Sequence, residues 1–221
     1  MTMNTPFTNE QFFSVFEKYN HTLLPVQFIL FIFCIFAFIA IGTKIPQKDK
    51  IISGILGFLW LWVGIVYHIS YFSGVSWIAL GFGMLFILEG LFFLWEGSLK
   101  HNLKFVFKKS VQTYLGCFFV LYALIVYPFV GYMIEQNFSR LVSVGFPGPT
   151  IILTFGFLLL TDKKVPRYLL IIPTIWAVVG ISTVIKLAGY QDFMMIIAAI
   201  IADVWLLKRK VPVDQQPDPR V

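Results

Sequence analysis

Seven apolar runs, each closed by a polar or basic turn, constrain this chain more than any other feature: Leu23 to Thr43, Ile51 to Phe72, Ser76 to Glu96, Gln112 to Ile134, Pro147 to Thr161, Tyr168 to Ala188 and Asp192 to Leu207. A soluble fold would have to hide every one of them, and a chain that is 58% apolar and 13% charged lacks the polar surface to do so. The solvent for most of the chain must be lipid. Each span needs about 20 residues plus a connection, so 221 residues hold roughly seven to eight spans at most. The expected fold is all-α, one polytopic membrane bundle of about seven transmembrane helices, with six as the fallback. The fifth and seventh runs are short. At 1.5 Å per residue they cross a core of about 30 Å only when turns at their ends extend them, and the fifth could be re-entrant.

The basic residues test that count independently. Lys44, Lys48 and Lys50 follow the first run; Lys100, Lys104, Lys108 and Lys109 the third; Lys163, Lys164 and Arg167 the fifth; Lys208, Arg209 and Lys210 the seventh. With Arg220, this puts 14 of 17 basic residues on one side and leaves Lys18, Arg140 and Lys186 on the other. Cytoplasmic loops collect Lys and Arg, so the N-terminus is expected outside and the C-terminus in the cytoplasm. The net charge of +6 is thereby explained by topology and lipid headgroups, and no aromatic-interleaved basic face suggests nucleic acid. Cys34 and Cys117 lie inside apolar runs and read as small hydrophobes.

Three regions follow. Residues 1–22 form an N-terminal interfacial helix, since Thr8-Asn9-Glu10-Gln11 resembles a capping box and Phe12, Phe16 and Tyr19 recur at helical spacing. Residues 23–207 form the transmembrane domain, with Pro25 in a first helical turn, where it is tolerated. Residues 208–221 form a basic tail expected to be disordered. A cleavable signal peptide is disfavoured, because the first residues lack basic charge.

Thr43-Lys44-Ile45-Pro46 after the first run and Lys163-Lys164-Val165-Pro166 after the fifth each precede a span carrying Trp and then Val-Gly, at Trp62-Val63-Gly64 and at Trp176 through Val179-Gly180. Two such triplets with one span between them make a three-plus-one-plus-three parallel arrangement. That architecture resembles the SWEET sugar transporters and related vitamin carriers, without their Pro-Gln pair and with no binding residues carried over. Over its whole length the chain resembles an uncharacterised family of small bacterial multi-span membrane proteins, through Pro25-Val26-Gln27, Trp60-Leu61-Trp62 to Tyr67-His68, and Pro149-Thr150 leading into Thr154-Phe155-Gly156. The resemblance implies a bacterial inner membrane and no assigned activity; some such proteins carry a permease label.

Charged groups inside a span cost about 2.5 to 3.5 kcal/mol on insertion scales, so each is a functional candidate. Glu89 in the third run and Asp203 in the seventh fall at comparable depth in the cytoplasmic half, where they could exchange a proton with a transport cycle. Alternatively, each is hydrogen-bonded to a neighbouring helix. Glu96, Asp162 and Asp192 lie at run ends and are expected to be solvated. In the second run Ser53, Gly57, Trp60, Gly64, His68 and Tyr71 fall within about 80° of one another on a helix, a packing face whose small residues admit a close neighbour. His68 then points into the bundle near the outer end, as a proton or substrate gate or as an interhelical hydrogen-bonding group. Pro128 and Pro173 are candidate hinges. The Gly145 to Pro149 stretch could offer helix-start amides to an anion or form an ordinary tight turn.

Three histidines spread along the chain, no His-x-x-x-His pair, and no nucleophile elbow, phosphate loop or dinucleotide fingerprint disfavour a membrane hydrolase or any other enzyme. No metal or cofactor is expected. The leading reading is a small-solute transporter with intramembrane carboxylates in proton coupling. The alternative is a structural or partner-binding protein, acting as a homo-oligomer or on a membrane partner.

Overall fold

The computed structural model describes residues 8–187 and 190–209. The expectations for residues 1–7, for the tail beyond Arg209, and for the side chain of Lys186 lie outside the described residues. Helix α1 (Asn9–Ile41) opens on a complete capping box: the Thr8 hydroxyl accepts from the Gln11 N–H at 3.2 Å, and the Gln11 side chain accepts from the Thr8 N–H at 2.9 Å. The stretch read as a separate interfacial helix runs without a break into the first span. Pro25, expected in a first turn, therefore lies inside α1. The reason is upstream. Val15 and Tyr19 are already buried, and the Tyr19 hydroxyl donates to the Gly145 carbonyl at 2.9 Å, so helical register must pass through Pro25 at the cost of a backbone hydrogen bond.

Helices α2 (Lys48–Trp62) and α3 (Ile78–Phe93) form a hairpin, and both widen at their ends. α2 continues as nine π-helical residues, Val63–Tyr71, and α3 as six, Leu94–Leu99. α4 (Val111–Leu121) joins α5 (Tyr127–Glu135) through a π-helical turn, Tyr122–Val126, giving one continuous span. Pro128 sits in the first turn of α5, immediately after that turn. A proline ring clashes with the carbonyl four residues back, and a widened turn accommodates the clash without breaking the span.

α6 (Pro147–Leu159) is the centre of the bundle, in contact with α2, α4, α7 (Tyr168–Leu187) and α8 (Phe193–Leu207). Every residue from Pro149 to Leu159 is buried. Its 13 residues reach about 20 Å, short of a hydrocarbon core, but a helix enclosed by protein can end where neighbouring groups satisfy its termini. Among the described residues five helical segments are long and apolar enough to cross a membrane, and α6 is shorter. Large apolar side chains face outward, with Phe28 on α1 62% exposed and Met84 on α3 64% exposed, while Gln27, Ser53, His68, Glu89 and Thr154 are buried. Polar groups inside and apolar groups outside is the distribution expected of a multi-pass membrane protein.

The end carrying the basic loops is closed by backbone pairing. Phe105 and Thr161 form an antiparallel bridge, flanked by Val106 N–H to the Leu160 carbonyl and Asp162 N–H to the Lys104 carbonyl, both 2.8 Å. Asp49 Oδ1 accepts from Phe105 N–H at 2.8 Å, and Leu103 and Phe105 are buried. Arg209, beyond α8, donates to the carbonyls of Thr161 at 2.8 Å and Lys163 at 2.7 Å and to Gln112 Oε1 at 2.9 Å. These loops are structural parts of the bundle rather than loose charged turns.

Candidate functional site

Glycines set the spacing between α2 and α3. A Cβ at Gly57 would lie 3.0 Å from the Gly90 carbonyl oxygen, and one at Gly64 2.8 Å from that of Gly83. Both glycine pairs recur at seven-residue spacing on each helix, so the antiparallel backbones touch along two turns. Ser53 continues the same contact, its hydroxyl oxygen where a Cβ at Gly97 would fall. α4 and α6 repeat the device, with Gly116 and Gly156 each against the other's carbonyl.

The close approach buries one face of each helix against α6 and α7. Trp60 is fully buried, and its indole N–H donates to Thr154 Oγ1 at 2.9 Å; Thr154 in turn donates to the Thr150 carbonyl at 2.8 Å. Residues distant in sequence that carried the family resemblance thus meet at the centre. Of the second-run face, Ser53, Gly57, Trp60, Gly64 and His68 are buried, and Tyr71 is half-buried with its ring 5.3 Å from that of Tyr19.

His68 lies within the widened end of α2, boxed by Phe86 at 4.8 Å, Trp176 at 5.0 Å, Tyr67 at 5.1 Å and Phe82 at 6.1 Å between ring centroids. It is 1% exposed, and neither ring nitrogen has a hydrogen-bond partner among the described residues. His21 is exposed on α1 and His101 exposed after α3, so the three histidines do not converge. Among the described residues no group of three or more His, Cys, Asp or Glu side chains is placed to hold a metal ion.

Glu89 lies one turn beyond Phe86 on α3. Its exposure is 0%, and neither carboxylate oxygen has a hydrogen-bond partner among the described residues. Asp203 differs: it is half-buried on α8 and accepts from Thr174 Oγ1 at 2.8 Å, next to Pro173 in α7, leaving Oδ1 unpartnered. Glu89 and Asp203 therefore engage different surroundings rather than one another. Pro173 is buried, and α7 runs through it without a break.

Of the three carboxylates expected in solvent, Asp162 reaches it, and Glu96 and Asp192 sit otherwise. Glu96, two turns from Glu89 on the same face of α3, is 1% exposed. Asn102 donates to its Oε2 at 2.6 Å, the Lys100 ammonium lies 3.1 Å from Oε1, and the Tyr168 hydroxyl interacts with it from α7. The loop after α3 folds back over the helix end, which a local reading of the run boundary cannot detect. Asp192 is half-buried and accepts from the buried Tyr127 hydroxyl at 2.5 Å. A Cβ at Gly148 would meet both Asp192 Oδ1 and the Tyr127 hydroxyl at 2.7 Å, so the start of α6 is approached by the chain's own carboxylate. Asp162 pairs with Lys108, which holds its carboxyl below the usual carboxylate range.

The sequence does not mark Tyr168 or Asn102, and it marks Trp176 only through the repeat match. Tyr168 and Trp176 look like ordinary aromatics of an apolar run, and only their partners across α3 place them at the site.

The chain belongs to DUF6064, a family of unknown function, which matches residues 9–216. No curated protein and no solved structure matches it.

Proposed function

For this member of a family without an assigned function, we propose a small-solute transporter in which Glu89 is the proton-binding group. One observation carries the reading: a carboxyl group inside a membrane bundle with no exposure and no hydrogen-bond partner among the described residues. An ionised carboxylate inside a span costs about 2.5 to 3.5 kcal/mol on insertion scales. Packing alone would favour replacing it with an apolar residue. A group kept under that penalty suits a cycle in which it is neutral in one conformation and meets water, a cation or a solute in another.

Asp203 is the secondary carboxylate of this proposal, tied through Thr174 to α7 beside Pro173, and Pro128 and Pro173 are its deformable points. The orientation, outside N-terminus and cytoplasmic C-terminus in a bacterial inner membrane, is supported by the asymmetry of the basic residues. Nothing in the mechanism depends on the three-plus-one-plus-three repeat. The proposal assigns no enzymatic role.

The test is proton flux in proteoliposomes loaded with a pH-sensitive dye and challenged with sugars, nucleosides and small amines. A solute-dependent flux abolished by Glu89→Gln and weakened by Asp203→Asn is the expected result. An undiminished flux in both variants at equal reconstitution contradicts proton coupling.

A further inference from the structure

At the end of the bundle that carries the basic loops, backbone pairing gathers charge that the sequence holds in three separate places. Residues 104–109, 161–167 and 208–209 contain eight Lys and Arg and one carboxylate, Asp162. The Asp162 N–H donates to the Lys104 carbonyl, and Arg209 donates to the carbonyls of Thr161 and Lys163, so the three segments meet at one corner. Arg209 also donates to Gln112, whose amide donates to the Leu159 carbonyl, which ties the start of α4, just after Lys109, to the same corner. Collecting Lys and Arg at one end requires only that they lie in loops on that side. It does not require the loops to be bonded into one cluster, where like charges repel.

Some of these cations are used by the fold. Lys108 pairs with Asp162, the Lys163 ammonium donates to the His101 carbonyl at 3.4 Å, and the Arg209 guanidinium is taken up by carbonyls and Gln112. Lys104, Lys109, Lys164, Arg167 and Lys208 are exposed, and none of their side chains has an ion pair or hydrogen bond among the described residues. The other carboxylates at this end are committed: Asp49 accepts from Phe105 N–H, and Glu96 is buried beside Lys100 and Asn102. Five open cations thus meet no uncommitted acid among the described residues.

The surface beside them is apolar. Phe107, between Lys104 and Lys108, is 44% exposed; Leu207, just before Lys208, is 46% exposed; Val111, two residues after Lys109, is 62% exposed. A soluble anion needs the cations alone. A phospholipid needs cations for its phosphate and apolar surface beside them for its acyl chains, and this corner offers both.

We infer that this corner binds the headgroup of an anionic phospholipid. Arg167 offers its planar fork to the phosphate, and Lys104, Lys109, Lys164 and Lys208 supply point charges around it. The site is independent of what Glu89 does.

The test is the melting temperature of the full chain in a neutral detergent, titrated with phosphatidylglycerol, phosphatidylcholine or inorganic phosphate. Phosphatidylglycerol should raise it to saturation, and the other two should not. Lys104→Gln, Lys164→Gln and Arg167→Gln combined should weaken the apparent affinity roughly a hundredfold, since each basic residue near an anionic lipid surface contributes about a factor of five. The matched triple Lys18→Gln, Lys44→Gln and Lys50→Gln removes the same charge from exposed positions outside the corner and should keep the wild-type affinity. About 1 M salt should cancel the rise in the wild type, a readout that needs no variant. Equal rises with phosphatidylcholine would assign the effect to acyl chains, and with inorganic phosphate to a soluble anion; either overturns the lipid site. Equal losses in the two triples, or a rise that survives the salt, overturn it as well.

Discussion

Glu89 and Glu96 occupy the same face of α3 and are equally buried, yet they live in opposite environments. Around Glu96 the chain folds back to supply an amide, an ammonium and a phenol, and the neighbouring loops lock together through Phe105, Thr161 and Arg209. At Glu89 neither oxygen has a hydrogen-bond partner among the described residues. Glu96 has a hydrogen bond at one oxygen and an ammonium beside the other, whereas neither oxygen of Glu89 is met, and stability does not explain a carboxyl left that way. The comparison separates a structural end of the molecule from a seam held for another purpose.

Breaking the lock should have the largest effect. Glu96→Ala strands Asn102 and Tyr168 without their acceptor and should cost about 3 kcal/mol, read as a lowered melting temperature in detergent. A loss under about 1 kcal/mol would mean that Glu96 behaves as a surface ion pair, erasing the contrast.

The seam has its own structural limit in the glycine contacts. Gly90→Ala drives a Cβ to 2.8 Å from the Gly57 carbonyl oxygen. It should cost about 2 kcal/mol by overpacking. Gly81→Ala, on the same helix with nothing within 4 Å of its Cβ, should be neutral or slightly stabilising. Equal melting temperatures for the two variants would show that the α2–α3 approach is not set by glycine.

Glu89→Leu sharpens the comparison from the other side. It removes a polar group that has no hydrogen-bond partner, so stability should change by less than about 1 kcal/mol or rise. A drop as large as that of Glu96→Ala would reveal a structural role for Glu89.

The smallest effect lies at the surface of the lock. Lys108 holds the Asp162 carboxyl below its usual range, so the pair contributes fully above that range and its contribution is lost as pH falls through the depressed folded value. Asp162→Asn should flatten that acid-side decline in melting temperature, and added salt should shrink the difference. A decline of unchanged slope in the variant would assign it to other carboxylates.

Much of this fold can be read from local sequence, because an apolar run must become a helix in lipid whatever it packs against. The Thr8 capping box and the Ser53, Gly57 and Gly64 face likewise follow from spacing alone. What escaped depends on distant partners. Pro25 reads as a helix start until Tyr19 is seen bound to Gly145. Glu96 and Asp192 read as solvated ends until Asn102 and Tyr127 are seen to reach them. The enclosed position of α6 has no local signal, since a run facing lipid and a run facing protein are equally apolar. For the candidate site, the cost of burying charge pointed to Glu89, Asp203 and His68. It could not tell which of them the fold would satisfy.

We propose Glu89 as a buried acid held for proton exchange. The most direct measurement is the infrared difference spectrum between the wild-type protein and Glu89→Gln in lipid at neutral pH. The account predicts a carboxylic-acid carbonyl band present in the wild type, absent from Glu89→Gln and retained in Asp203→Asn. A spectrum in which Glu89→Gln removes only carboxylate absorption would show the group ionised, and would contradict it.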